Sequence, residues 1–144
     1  MKIGILSLNP RLYSTNSLVK AAEAAGHEVR VIDYLKCHMN IVSSSPSIFL
    51  GDDELKGFDA VIPRIGASRT FFGTAVVRQF EMMRCFTTTT SMALVSSRDK
   101  LRSLQILSRA GIGLPKTIFT NYSKNVKKIV DQAGGAPLAS FIYS

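Results

Sequence analysis

Hydrophobic and polar positions along the chain switch repeatedly between a strand-like and a helix-like pattern. Lys2–Leu8 is a compact apolar run of strand length, and Ser14–Ala25 is helix-like and closed by Gly26, a residue suited to the position just past a helix end. Glu28–Asp33 sets Val29 and Val31 between charges, as a half-buried strand does. Met39–Val42 reads as a short strand. Ser43–Gly57, with three consecutive serines, Pro46 and Gly51-Asp52-Asp53, reads as a loop or a small hairpin around Ile48-Phe49-Leu50. Asp59–Ile65 returns to a buried strand. Thr70–Met83 is helical, with Phe72, Val76, Phe80 and Met83 forming a core-facing stripe. Cys85–Thr90 is a further strand candidate, because its threonine run favours β structure.

The organisation changes near residues 94–97. Arg98–Ala110 reads as an amphipathic helix with Leu101, Leu104 and Leu107 on one face, Ser97 as its cap, Asp99 in its positive first turn and Gly111 as its stop. Pro115–Thr120 reads as a strand and Ser123–Gln132 as a helix. Gly134-Gly135-Ala136-Pro137 then turns into a final strand, Leu138–Tyr143. The expected architecture is α/β: residues 1–95 form a Rossmann-like domain with a parallel sheet covered by helices on both faces, and residues 96–144 begin a second domain.

In such sheets ligands gather beyond the carboxyl ends of the strands. That places Arg64, Gly66 and Ser68, at the end of Asp59–Ile65, among the candidates for a site. Arg64 has two readings: a bidentate ligand for a substrate carboxylate or phosphate, or a strand-end arginine paired with Asp59 or Glu81. His27 sits in the turn before the second strand and has no catalytic part. Asn9-Pro10-Arg11 stands where a dinucleotide or phosphate loop would carry glycines, which disfavours a Rossmann dehydrogenase.

A chain of 144 residues, 46% hydrophobic and 19% charged, has the composition of a soluble globular protein. It contains no apolar run of the roughly 20 residues that cross a bilayer, and its N-terminal apolar stretch is too short for a signal peptide. Cys37 and Cys85 lack metal-ligand spacing and read as reduced thiols of a cytoplasmic protein, with His38 only a weak hint of a ligand pair. The net charge of +8 is unevenly spread. Residues 1–97 carry ten basic and eight acidic residues, whereas residues 98–128 carry eight basic residues against Asp99 alone. That basic segment can grip nucleotide phosphate or RNA, or form a solvated face.

Several stretches, in this order, resemble the ATP-grasp ligases, and most of all the ribosomal-protein-modifying α-L-glutamate ligases of the RimK type. They are Ile3–Ser7, Gly26-His27-Glu28-Val29, Phe58–Gly66, Phe72-Gly73-Thr74-Ala75, Arg78–Met82, Arg98–Leu107 and Gly134–Leu138. The resemblance implies a pre-ATP-grasp domain followed by the truncated start of an ATP-grasp domain. It also implies ATP, Mg2+ or Mn2+ as cofactors, and glutamate and the C-terminus of a ribosomal protein or peptide as partners. The lysine of Arg98-Asp99-Lys100 takes the phosphate-contacting role, which falls on Lys100. An ammonium on a flexible stem suits that task.

The likeness stops at Leu138. Phe141 stands near the place of a second phosphate-binding lysine, and Thr87–Thr90 replaces a segment in which relatives tend to carry asparagine. A frameshift, an early stop or a gene fragment is the expectation from this, with no catalysis by the chain alone. The alternatives are a non-catalytic protein- or RNA-binding module and a degenerate product. Apolar surface left by missing strands is expected to drive self-association or a homo-oligomer.

Overall fold

A computed structural model describes residues 1–120, residue 124 and residues 126–134. The expected turn beyond Gly134, the strand Leu138–Tyr143, Phe141 and the first residue of the helix Ser123–Gln132 lie outside the described residues. The chain divides into two compact units, Met1–Arg98 and Asp99–Ser144.

The first unit runs β1 (Lys2–Leu6), α1 (Tyr13–Ala24), β2 (Glu28–Ile32), β3 (Cys37–Asn40), β4 (Ser47–Leu50), β5 (Asp53–Glu54), β6 (Ala60–Pro63), α2 (Thr70–Met82), β7 (Phe86–Thr87) and α3 (Ser91–Arg98). Four strands form a parallel sheet in the order β2-β1-β6-β7, with Ile5 opposite Val31 on one side and Ile62 on the other. The fold is therefore α/β with a parallel sheet. The central strands are short, apolar runs because neighbours cover both faces. From the centre of the sheet, β1 leads left to β2 and β6 leads right to β7. Right-handed crossovers then place α1 and α2 on opposite faces.

Between β2 and β6 the chain builds a second, antiparallel sheet, β3-β4-β5. This resolves Ser43–Gly57 in favour of the hairpin, with Gly51-Asp52 at its tip. Its inner positions Cys37, Met39, Ile48 and Leu50 join the core, and its outer face stacks His38 on Phe49 at 5.1 Å. Helix α2 is shared by the two sheets. Val76, Val77 and Phe80 are fully buried, Phe72 and Met83 pack at the margin, and buried Gln79 donates through Nε2 to the carbonyls of Asn40 (3.0 Å) and Ser47 (3.3 Å). Where α2 meets the segment after β6, a Cβ on Gly73 would run into Cγ2 of Ile65, so glycine is what admits this approach.

Sequence and structure part company after Cys85. The threonine run does not extend a strand: β7 is two residues long, and the chain turns at once into α3, which sequence patterning does not predict. Local capping prevails over β propensity here. Thr90 Oγ1 accepts the Ala93 N–H at 3.1 Å, while Glu81, reaching over from α2, accepts both the backbone N–H (2.8 Å) and the hydroxyl (2.7 Å) of Ser91. The expected helix Arg98–Ala110 is correspondingly shorter. Arg98 ends α3, and α4 spans Lys100–Arg109. Its cap is Asp99, whose carboxylate accepts the Arg102 N–H at 2.9 Å, while Ser97 lies inside α3 and donates to the Leu94 carbonyl. Gly26 (φ +77°) follows α1 and Gly111 (φ +72°) follows α4, both in the left-handed conformation expected past a helix end.

In the second unit α4 is followed by extended chain and by α5 (Val126–Ala133). Residues 115–120 form no strand. Pro115 offers no N–H, and among the described residues no strand lies beside the segment to pair with it. Helix α4 and residues 112–119 bound an open cavity of about 610 Å³ lined by Leu101, Leu104, Ile112, Leu114 and Phe119. Among the described residues no helix is long and apolar enough to cross a membrane.

Candidate functional site

β1 and β6 are neighbours whose crossovers leave in opposite directions, so their carboxyl ends form the topological switch point of the sheet. In open α/β sheets this switch point is where ligands bind. One wall is the segment after β1. Ser7 and Thr15 hold each other through their hydroxyls at 3.0 Å in the interior, and the Asn9 side chain accepts the Arg11 N–H at 2.9 Å, fixing a tight turn ahead of α1. The other wall is the segment after β6. The backbone N–H of Arg64 still pairs with the Leu6 carbonyl at 2.9 Å, and its side chain then leaves the sheet and reaches across to α1.

There the Arg64 guanidinium donates to Ser14 Oγ at 2.7 Å. Neither carboxylate considered from the sequence is its partner. Asp59 accepts the backbone N–H of Lys2 at 2.7 Å, and Glu81 is committed to Ser91. Of the two readings of Arg64, the strand-end ion pair with Asp59 or Glu81 is not formed, and a neutral hydroxyl bridging the switch point stands in its place. The reason is topological: β1, the neighbour of β6, brings the start of α1 to the same end of the sheet.

Gly66 and Ser68 follow on the same wall. The Gly66 N–H donates to the hydroxyl of buried Tyr34 at 3.3 Å, and Ser68 is exposed on a 3-10 turn, Ala67–Arg69. Arg98 supports this loop from the end of α3, its guanidinium donating to the Ile65 carbonyl at 2.9 Å. The loop is therefore held by Tyr34, Arg98 and the Ile65–Gly73 contact, although its outer surface is open. Sequence reasoning missed Ser14, Tyr34 and Arg98 as parts of the site. Tyr34 follows β2 directly, so the rule that selected residues after β6 applies equally to it.

Lys100 belongs to the second unit, where it is the first residue of α4 and exposed. Arg64, Gly66 and Ser68 are brought together within the first unit. Among the described residues no three His, Cys, Asp or Glu side chains converge as metal ligands. Cys37 and Cys85 are free and buried. Burial, reinforced by Asp33, raises the Cys37 thiol to about 11 against an opposing effect of Arg30. Burial, reinforced by Asp59, does the same for Cys85, also to about 11.

Residues 1–94 match the family model described as the RimK PreATP-grasp domain. The chain is 60% identical over 138 residues to a probable alpha-L-glutamate ligase of Maridesulfovibrio salexigens, covering 96% of this chain and 46% of that relative. It is 59% identical, with the same coverage, to the protein of that name from Vibrio cholerae. The chain thus spans about half the length of the curated relatives it matches. Among solved structures it resembles the macrocyclase MdnC of Microcystis aeruginosa, bound with its precursor peptide MdnA, at 19% identity and a TM-score of 0.67 over 92% of this chain and 52% of that one. It also resembles the ATP-grasp ligase PsnB, complexed with a minimal precursor, at 20% identity and a TM-score of 0.68 over 92% and 50%. Likeness at that level of identity speaks for the fold.

Proposed function

We propose, from the premise that this chain belongs to the RimK PreATP-grasp family, that it supplies the substrate-facing front of an ATP-dependent carboxylate–amine ligase. The ligase joins glutamate to the C-terminal carboxylate of a ribosomal protein or peptide in the cytoplasm. The observation that carries the reading is 60% identity, over nearly the whole chain, to relatives that bear the name of probable alpha-L-glutamate ligase.

The division of labour follows from the chemistry of each residue. Arg64, whose guanidinium donates to a neutral hydroxyl, can exchange it for a carboxylate, which accepts two parallel N–H bonds and carries the complementary charge. Gly66 and Ser68 shape the wall beside it. Lys100, at the start of the basic residues 96–144 that we assign to the beginning of the ATP-grasp domain, meets nucleotide phosphate as a point charge. When bound, ATP activates the carboxylate for attack by the amine. This chain's share in the reading is binding and positioning, by Lys100 at phosphate and Arg64 at the substrate carboxylate.

The test is a chimera carrying residues 1–138 of this chain ahead of the remaining half of the Maridesulfovibrio relative, assayed for ATP-dependent incorporation of labelled glutamate into a peptide. The reading expects incorporation, a fall of about 100-fold in kcat/KM for Lys100→Ala, and a rise in peptide KM for Arg64→Ala. A folded chimera that binds ATP but transfers no glutamate overturns it.

A further inference from the structure

Helix α2 shows solvent a stripe that is mostly apolar. Phe71, Ala75, Arg78 and Met82 recur at spacings of four, three and four, so they share one face, opposite the buried Gly73 and Phe80. Phe71 is 90% exposed and Met82 51%, and Ile41, where the chain leaves β3, is 77% exposed. The solvent face of an amphipathic helix is ordinarily charged and polar. Here three of the four residues are apolar, and neither the stripe nor Ile41 and Val42 supplies an acid.

The stripe holds both halves of a contact. At one end Phe71 projects as a bare ring. Toward the other end Met39, Ile41, Ala75, Arg78, Gln79 and Met82 line a hollow of about 120 Å³. That is close to the roughly 150 Å³ that receives a benzene ring in a protein interior. The lining also suits a ring by its chemistry. The thioethers of Met39 and Met82 make favourable contacts with aromatic edges, and the Arg78 guanidinium can lie on an aromatic face. Phe71 cannot fill this hollow itself, because the two lie about two turns apart on one helix, roughly 11 Å at 1.5 Å per residue.

We infer that α2 packs antiparallel against α2 of a second copy of this chain, about a two-fold axis passing at Ala75. A two-fold interface requires each surface to complement itself, and a knob and its hole on one helix face meet that condition. The partner's Phe71 enters the hollow beside Arg78, and Phe71 enters the equivalent hollow of the partner. Ala75 meets the partner's Ala75 on the axis, where small side chains let the helices approach closely. The two Arg78 side chains start about 9 Å apart along the helices, so each meets an aromatic ring and not its own counterpart. A second copy fits better than an unrelated protein because ring, hollow and the distance between them all belong to one surface. The pairing uses the first unit, so it is separate from self-association through the apolar face of α4, and it does not depend on the ligase reading.

Sedimentation velocity of the full 144-residue chain, from micromolar to near-millimolar concentration, reads the pairing. A monomer–dimer equilibrium is expected. Phe71→Ser, which removes a ring from an exposed position, should weaken it about tenfold or more, as loss of an aromatic anchor does. Arg78→Ala should weaken it about threefold, and Arg78→Lys, which keeps a cation for the ring, should fall between that variant and wild type. Leu104→Ser, in α4 of the second unit, should leave the equilibrium unchanged. Ala75→Cys should form a disulfide-linked dimer under mild oxidation, whereas Lys20→Cys, exposed on α1, should not. The native Cys37 and Cys85 are buried and stay out of that reaction. Unaltered far-ultraviolet circular dichroism establishes that each variant is folded. A chain that stays monomeric throughout the range overturns the inference. So does a dimer that Phe71→Ser leaves intact, one that Leu104→Ser dissolves, or one in which Ala75→Cys cross-links no better than Lys20→Cys.

Discussion

Met1–Arg98 and Asp99–Ser144 both carry amphipathic helices, yet they differ in what those helices bury. In the first unit Phe80, Val76 and Val77 of α2 are sealed between the parallel sheet and the hairpin sheet, in one continuous cluster that runs from Leu6 to Cys85. In the second, none of residues 99–120 is buried. Leu101, Leu104 and Leu107 of α4 are only partly buried, the first two beside an open cavity. Periodicity of apolar residues tells which face of a helix is meant for an interior. It does not tell whether an interior is there, and most helical stability comes from that packing.

The sharpest way to break the contrast is truncation of equivalent side chains. Phe80→Ala should destabilise the first unit by about 3–5 kcal/mol, visible as a collapse of the urea midpoint. Leu104→Ala, in a helix with no sealed core, should shift the same transition by less than about 1 kcal/mol. Next in size is Gly73→Ala, which drives a methyl into Ile65 and should cost about 1–3 kcal/mol, with amide shifts at Gly66 and Ser68 in NMR spectra marking displacement of the loop. Glu81→Ala removes the acceptor for the Ser91 N–H and hydroxyl and should cost about 1–2 kcal/mol, with faster amide exchange concentrated in α3.

The smallest effect concerns pH. The thiols of Cys37 and Cys85 titrate near 11 in the folded chain and near 9.0 without the fold. Between these values the folded state retains protons that the unfolded state has lost. The thiols' contribution is therefore complete below pH 9 and fades as pH rises toward 11. Chemical denaturation at pH 8 and pH 10 should show the decline, and replacing both cysteines by alanine should flatten it. At pH 8 neither thiol should react with a disulfide reagent until the chain unfolds.

The same contrast explains what the sequence made legible. Elements with a clear apolar period, β1, β2 and the stripe of α2, follow from pattern alone, and so does the parallel sheet. Two of the misreadings involve a side chain arriving from elsewhere. α3 depends on Glu81 from α2 and on Thr90 acting as a cap and not as a strand residue. The sequence offers Asp59 and Glu81 as acids for Arg64, whereas the sheet order delivers Ser14 from fifty residues away. The position of Arg64, Gly66 and Ser68 at a strand end was readable; what holds the loop, Tyr34 from one side and Arg98 from another, was not.

The amide of Gln79 has a consequence for how the hairpin can be treated as a piece of the molecule. Residues 37–54 look detachable, an excursion between two strands of another sheet with its own antiparallel ladder. One buried nitrogen, shared between Asn40 and Ser47, fastens that excursion to α2. Deleting it leaves an orphaned donor in the interior. The hairpin is thus no ornament that protein engineers could exchange for a shorter turn: it opens when α2 opens, and the two should melt as one cooperative block.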